Sequence, residues 1–323
     1  MVARRRPMKQ KTTLAQGIDI AEQKAQYDAA CKRVLAEKII LAWIMKHTMK
    51  EYVSYDVREI AERFILGEPI VAGVSVLPDE TNAPRIAGVG VEDTSVTEGT
   101  VTYDILFRAI VPRSDEVVQM IINVEAQNDF YPGYPIVKRG IYYCARMISS
   151  QYGTIFTKSH YEKIQKVYSV WICMNPPKGR SNTITEYSVA ERNHIGNVKE
   201  DEEHYDLISA VMICLGSDED GTENELLRLL DVLLSSEKKA KEKKEILEKE
   251  FHIPMTERIE EEVEYMCNLS DGVENKGIEQ GIQQGIRLTV INMLKENLPI
   301  EVICRIAECD TSYVEQIQKE LGN

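Results

Sequence analysis

The sequence predicts an α/β protein with an α-helical C-terminal region, and three stretches carry that expectation. In Met120–Gln127, Ile122, Val124 and Ala126 alternate with Asn123, Glu125 and Gln127. Period two sends them to opposite faces of a strand, and Val117, Val118, Met120 and Ile121 ahead of it have the apolar character of an interior strand. The second stretch, residues 100–111, is rich in β-branched and aromatic residues and carries Asp104 in its middle. Pro112 to Glu116 is turn-like, so the two strands read as a hairpin that brings Asp104 towards Glu125. From Glu223 onward the pattern changes to helical spacing, with Leu226, Leu227, Leu229, Leu230, Val232, Leu233 and Leu234 forming an apolar stripe.

Composition sets the outer bounds. A chain of 323 residues with 43% hydrophobic content can bury one substantial core and a smaller second unit. A net charge of -13 argues against a general nucleic-acid binder. Seven cysteines without CxxC pairs or zinc spacing point to reduced thiols and a cytoplasmic location. No apolar run is long enough for a membrane span, and the basic N-terminus is not followed by the apolar segment of a signal peptide.

The elements then follow in order. Residues 1–17 read as a disordered basic arm, a solvated tail or a phosphate-contacting one. Residues 18–49 read as helical, with Val34, Leu35, Ile39, Leu41, Ala42, Ile44 and Met45 on one face. Residues 54–66 read as a second helix capped by Asp56 and ended by Pro69. Strands are expected at 70–77 and 86–91. Glu92, Asp93 and Glu98 read as turn residues at strand ends, or as further acids converging on a site. Residues 128–135 form a loop whose Phe130, Tyr131 and Tyr134 either pack it down or stack on a base or sugar. Residues 136–152 read as a helix with Ile141, Ala145 and Ile148 inward and Arg139, Tyr142, Tyr143, Arg146 and Gln151 as its polar or amphipathic members. Val167–Met174 reads as a central strand. Residues 178–200 read as a hairpin, and 207–215 as an apolar strand or helix. Residues 238–250 read as a solvated, charged helix and 257–269 as an acidic one. Gly277, Gly281 and Gly285 repeat with period four, which suits either close approach of another backbone or a linker. Residues 288–296, 300–308 and 311–321 read as short helices of a helix-turn-helix-like unit. That unit is not basic, so it reads as a protein-contact module.

Two carboxylates and an amide on an interior strand pair are costly unless something pairs with them. Asp104 and Glu125 suit a hard divalent cation, which takes a few carboxylates plus water.

An Asp on one strand followed by Glu-x-Lys on the next is the signature of the PD-(D/E)XK nuclease fold, and Asp104 with Glu125-Ala-Gln127 is a Glu-x-Gln variant of it. The surrounding text is more specific. Glu98–Phe107 (EGTVTYDILF), Ile122–Gln127 (INVEAQ), Tyr131–Pro135 (YPGYP), Arg139–Ser149 (RGIYYCARMIS) and Val167–Pro176 (VYSVWICMNP) resemble the bacterial PD-(D/E)XK nuclease family transposases, related to the recombination-promoting nucleases. The resemblance covers residues 30–200 well and the tail loosely. It implies a restriction-endonuclease-like core, a mixed central sheet flanked by helices, over residues 18–220. A charged helical linker at 221–275 and a small helical module at 276–323 follow, the latter suited to homo-oligomer or partner contacts. It implies a magnesium- or manganese-dependent DNA endonuclease with Asp104 and Glu125 as metal ligands. Gln127 takes the place of the usual lysine and keeps hydrogen-bonding capacity without charge. Arg139 or Lys138 then supplies positive charge, Glu37 becomes a candidate acid from the helix before the sheet, and Lys138, Tyr143 and Arg146 become candidate DNA contacts. Hydrolysis is the chemistry implied by these residues, rather than strand transfer. Two other readings stand beside it. One is an inert family member used for protein interaction. The other is a structural protein whose polar strand face meets water, which requires Asp104 and Glu125 to be exposed and far apart.

Overall fold

A computed structural model describes residues 13–71, 92–95, 99–112, 119–216, 222–235 and 237–321. The chain divides into two compact units. Residues 25–267 form one, and 13–24 with 268–321 the other. The fold is mixed α/β, with one six-stranded sheet and many helices.

The apolar face of residues 18–49 is split between two helices, α1 (Thr13–Leu35) and α2 (Lys38–Thr48). Glu37 is extended at the start of α2, so the chain turns there. Leu35, Ala36, Ile40, Leu41, Ala42, Ile44 and Met45 are all buried. Asp56 caps α3 (Val57–Glu59), accepting from the Arg58 N–H at 2.9 Å, and the helix runs on as a π turn over Ile60–Phe64.

Pro69 does not end a helix; it lies inside strand β1 (Ile65–Val71). This strand is at the sheet edge, and its register shifts between Leu66 and Ile70, with Gly67 at φ +64°. An edge bulge is where a strand tolerates a proline. The second stretch is not one strand but two. β2 (Glu92–Ser95) pairs with β3 (Gly99–Thr102) in a small ribbon, and β4 (Ile105–Ile110) belongs to the main sheet. β5 (Gln119–Asp129) pairs antiparallel with β4, as the hairpin reading required. The expected strand at 86–91, Glu98 and most of the 112–116 turn lie outside the described residues.

Helix α4 (Ile136–Ser149) follows β5, then β6 (Val167–Asn175), β7 (Thr183–Ser188) and β8 (Ile208–Cys214). The sheet order is β1-β4-β5-β6-β8-β7, with β5, β6 and β8 parallel and the outer pairs antiparallel. β6 lies between two parallel neighbours and is buried from Val167 to Cys173, which accounts for its unbroken apolar run. Residues 178–200 do not make a hairpin of their own: β7 pairs with β8 instead, and residues 189–204 are exposed.

The inner face of α4 also differs from the expectation. Ile141 is 46% exposed and Ala145 is exposed, whereas Ile136, Gly140, Tyr143, Cys144 and Met147 are buried against β6 and β8. The helix turns its glycine, aromatic and sulfur side inward because Gly140 lets it come close. A Cβ at that position would stand 2.8 Å from Met212 Cε and 3.0 Å from Trp171 Nε1.

The leucine stripe forms α5 (Glu225–Leu234), whose N-cap Asn224 accepts from the Leu227 N–H at 3.0 Å. α6 (Ala240–Lys249) is not wholly solvated. Lys243 is 1% exposed and donates to the Leu233 carbonyl at 3.0 Å. α7 (Glu257–Lys295) is one continuous helix through the glycine repeat. α8 (Ile300–Ala307) and α9 (Thr311–Leu321) complete the second unit, whose core joins Val290, Ile303, Ala307, Val314 and Ile317. Among the described residues, no helix is long and apolar enough to cross a membrane.

Candidate active site

Asp104 sits at the break between β3 and β4, one residue before the ladder begins at Ile105. Ile105 pairs with Val124, so Asp104 falls beside the next residues of β5. There it replaces a ladder contact with a side-chain one: its Oδ2 accepts from the Ala126 N–H at 3.3 Å. The Lys32 Nζ of α1 lies 2.6 Å from its Oδ1. The two side chains are 24% and 15% exposed, lysine and aspartate respectively, so the pair is partly withdrawn from water. A polar strand face that simply meets solvent requires an exposed Asp104, which is not what is found.

The side chains of Glu125 and Gln127 lie outside the described residues. Their backbones pair in parallel register with Trp171 and Cys173 of β6, both fully buried. Cys173 in turn pairs with Cys214 of β8. The contact between the two thiols, together with burial, pushes Cys173 up; the same contact holds Cys214 below the ordinary thiol value against its own burial, with Thr183 and Arg180 acting in the same direction.

Arg139 is the cation above this part of the sheet. Its guanidinium carbon lies 5.2 Å from the ring centroid of Trp171, the register partner of Glu125, and 5.0 Å from that of Tyr143. It donates to the Tyr143 hydroxyl at 2.6 and 3.1 Å and to the Tyr134 hydroxyl at 3.1 Å. Such stacking and forked donation fix a guanidinium in place.

Glu37 lies apart from Asp104, and Tyr143 and Arg146 are withdrawn from the surface. Glu37 pairs with Arg258 Nε at 2.7 Å, a close charge contact rather than an aligned hydrogen bond. Burial raises its pKa, Arg258 opposes the rise, and Glu68 and Glu262 add to it. Among the described contacts none joins Glu37 to Asp104, so it reads as an ion-paired helix residue. Tyr143 and Arg146 are 5% and 4% exposed, so neither offers a surface to DNA. Tyr143 packs between Tyr103 and Trp171. Lys138 is exposed.

The loop after β5 packs down through one of its three aromatics. Phe130 is buried, with Arg180 over its ring at 4.9 Å, while Tyr131 and Tyr134 are 49% and 43% exposed. Lys32 and Arg180 are the charged residues that sequence reasoning missed. No spacing links Lys32 to Asp104 across 72 positions of chain; only the fold does.

Among the described residues, no group of three or more His, Cys, Asp or Glu side chains is assembled to hold a metal, a set that does not include the Glu125 side chain. No protein-family model matches the chain, and no curated protein or solved structure matches it either.

Proposed function

We propose that the chain is a metal-dependent DNA endonuclease on a restriction-endonuclease-like core, as its resemblance to the PD-(D/E)XK transposases implies. One observation carries the reading: the half-buried Asp104 carboxylate is brought by the β4–β5 hairpin against Ala126, next to Glu125, and already holds a cation. The Lys32 ammonium is a stand-in of the right sign. A carboxylate that recruits positive charge at 2.6 Å has the donor chemistry a hard divalent ion requires. Asp104 and Glu125 would hold that ion. When bound, magnesium or manganese supplies polarisation of a phosphate and a water of lowered pKa.

The other roles belong to the chain's own groups. Gln127 orients the attacking water by hydrogen bonding. Arg139 sets a fixed positive charge over Trp171. Tyr131 and Tyr134, exposed just after β5, offer faces for a base or sugar to stack on. A bulk charge of -13 leaves DNA binding to local cations such as Lys138.

The test is cleavage of supercoiled plasmid by the purified chain with magnesium, manganese or EDTA, beside Asp104→Asn and Glu125→Gln. We expect metal-dependent nicking that falls roughly 100-fold or more in each variant at unchanged circular dichroism. A wild type that neither cleaves nor binds a divalent ion would sink the reading and leave the interaction module in its place.

A further inference from the structure

We propose that Lys32 is a catalytic residue of this site: it supplies, from helix α1, the positive charge that Gln127 does not. This rests on the nuclease reading.

The argument begins with charge. A Glu-x-Lys strand delivers a mobile ammonium two residues after its acid, and Glu125-Ala-Gln127 delivers a neutral amide. Arg139 and Lys32 both lie near this part of the sheet, and Arg180 stands farther along it over the Phe130 ring. Arg139 is committed to two aromatic rings and two tyrosine hydroxyls. Lys32 is different in kind, a compact charge on a four-carbon stem with three rotatable donors. It lies in the last turn of α1 and reaches Asp104 Oδ1 at 2.6 Å.

An ammonium at that distance occupies a lone pair that a metal ligand must offer. In the free protein Lys32 sets a positive charge against the half-buried Asp104 carboxylate. If Asp104 were to hold a divalent ion, Lys32 would lose its place at that oxygen, because like charges repel. Its stem keeps it within reach of the site. The anion available there is the phosphate being cut, whose non-bridging oxygen accepts hydrogen bonds from it. Water adds to phosphorus and gives up a proton to solvent, the bond from phosphorus to one sugar oxygen breaks, and that oxygen takes up a proton from solvent. Lys32 transfers no proton.

A purely structural salt bridge and this role differ in one measurable respect. Removing a structural partner weakens the site for everything. Removing a competitor strengthens metal binding while weakening catalysis.

The experiment is titration calorimetry with manganese on the full chain, beside plasmid cleavage, for the wild type, Lys32→Met, Lys32→Gln and Lys32→Arg. We expect Lys32→Met and Lys32→Gln to bind manganese several-fold more tightly and to cleave roughly 100-fold more slowly. Lys32→Arg, which keeps the charge, regains part of the rate. If Lys32→Met fails to fold, Lys32→Gln, which keeps a donor towards Asp104, carries the same comparison. Cleavage at the wild-type rate by either neutral variant, or loss of manganese affinity together with rate, would overturn the role of Lys32 and leave the nuclease reading standing. A wild type that neither binds manganese nor cleaves overturns both.

Discussion

Gly140 shows how a single atom shapes the candidate site. The missing Cβ lets α4 settle onto β6 and β8 and brings Arg139 over Trp171, the register partner of Glu125. Met212 Cε, the far end of a flexible side chain, can move aside for a methyl group. Trp171 has less freedom, being fully buried with its indole N–H donated to Ser169 Oγ at 2.9 Å. Overpacking of this kind costs about 1–3 kcal/mol, and alanine returns about 1 kcal/mol of helix propensity. We expect Gly140→Ala to be destabilising by about 1 kcal/mol in urea unfolding, with Trp171 fluorescence altered; a stabilised variant would show that the helix can lift without cost. The same residue explains a misreading. Ile141, Ala145 and Ile148 form the conventional apolar set of α4, and only a tertiary neighbour reveals that the glycine side faces inward. Asp104 was legible as a residue type in a strand-rich context, but its place at a strand break was not. Lys32 could not be read at all, because its relation to Asp104 exists only once α1 packs.

At the level of elements, a charge network ties the end of α2 to the entrances of β6 and β8. Lys166 Nζ lies 3.0 Å from Glu51 Oε1 and 2.6 Å from Asp206 Oδ2, and Lys50 lies 2.6 Å from the same Asp206 oxygen. Lys50 also meets Glu202, and the Tyr168 hydroxyl donates to Glu51 Oε2 at 2.8 Å. Glu51, Lys166 and Asp206 are each only 11–12% exposed, so breaking the set leaves charge without its partners. Burial alone would raise Asp206, but hydrogen bonds and charge from Lys166 and Lys50 hold it below the ordinary carboxylate value. A depressed carboxylate contributes stability that is fully present above its unfolded pKa of about 4, and loses it as pH falls through the folded value. Glu37, raised by burial, has the opposite sign, so the wild-type curve alone does not isolate Asp206. We expect Asp206→Asn to cost about 3 kcal/mol near neutral pH, with the gap to wild type closing below about pH 4. A gap constant from pH 3 to 7 would show that the network is solvated. None of these five charges stood out in the sequence, whereas β5 and β6 did. Their alternation and unbroken apolar runs are local consequences of lying inside a sheet, while ion pairs join residues far apart in the chain.

For the whole molecule, the division into two units places both tryptophans, Trp43 and Trp171, within residues 25–267. The helical unit has its own small core of Val290, Ile303, Ala307, Val314 and Ile317. A separate core without an indole gives two spectroscopic probes different territories: fluorescence follows the sheet unit, and far-ultraviolet circular dichroism follows both. Ile303 is fully buried, and an aspartate there would be an unpaired charge in an apolar cluster. A compact unit with its own core can open by itself, so damage to the helical core is expected to stay in it. We expect Ile303→Asp to lose helical dichroism while the tryptophan unfolding midpoint in urea stays where it is in the wild type. If plasmid nicking is found, it should persist in that variant, because Lys32, Asp104 and Arg139 all belong to the other unit. A tryptophan midpoint that falls with the dichroism would show the two cores unfolding as one cooperative block, and would make the helical unit part of what holds the candidate site together.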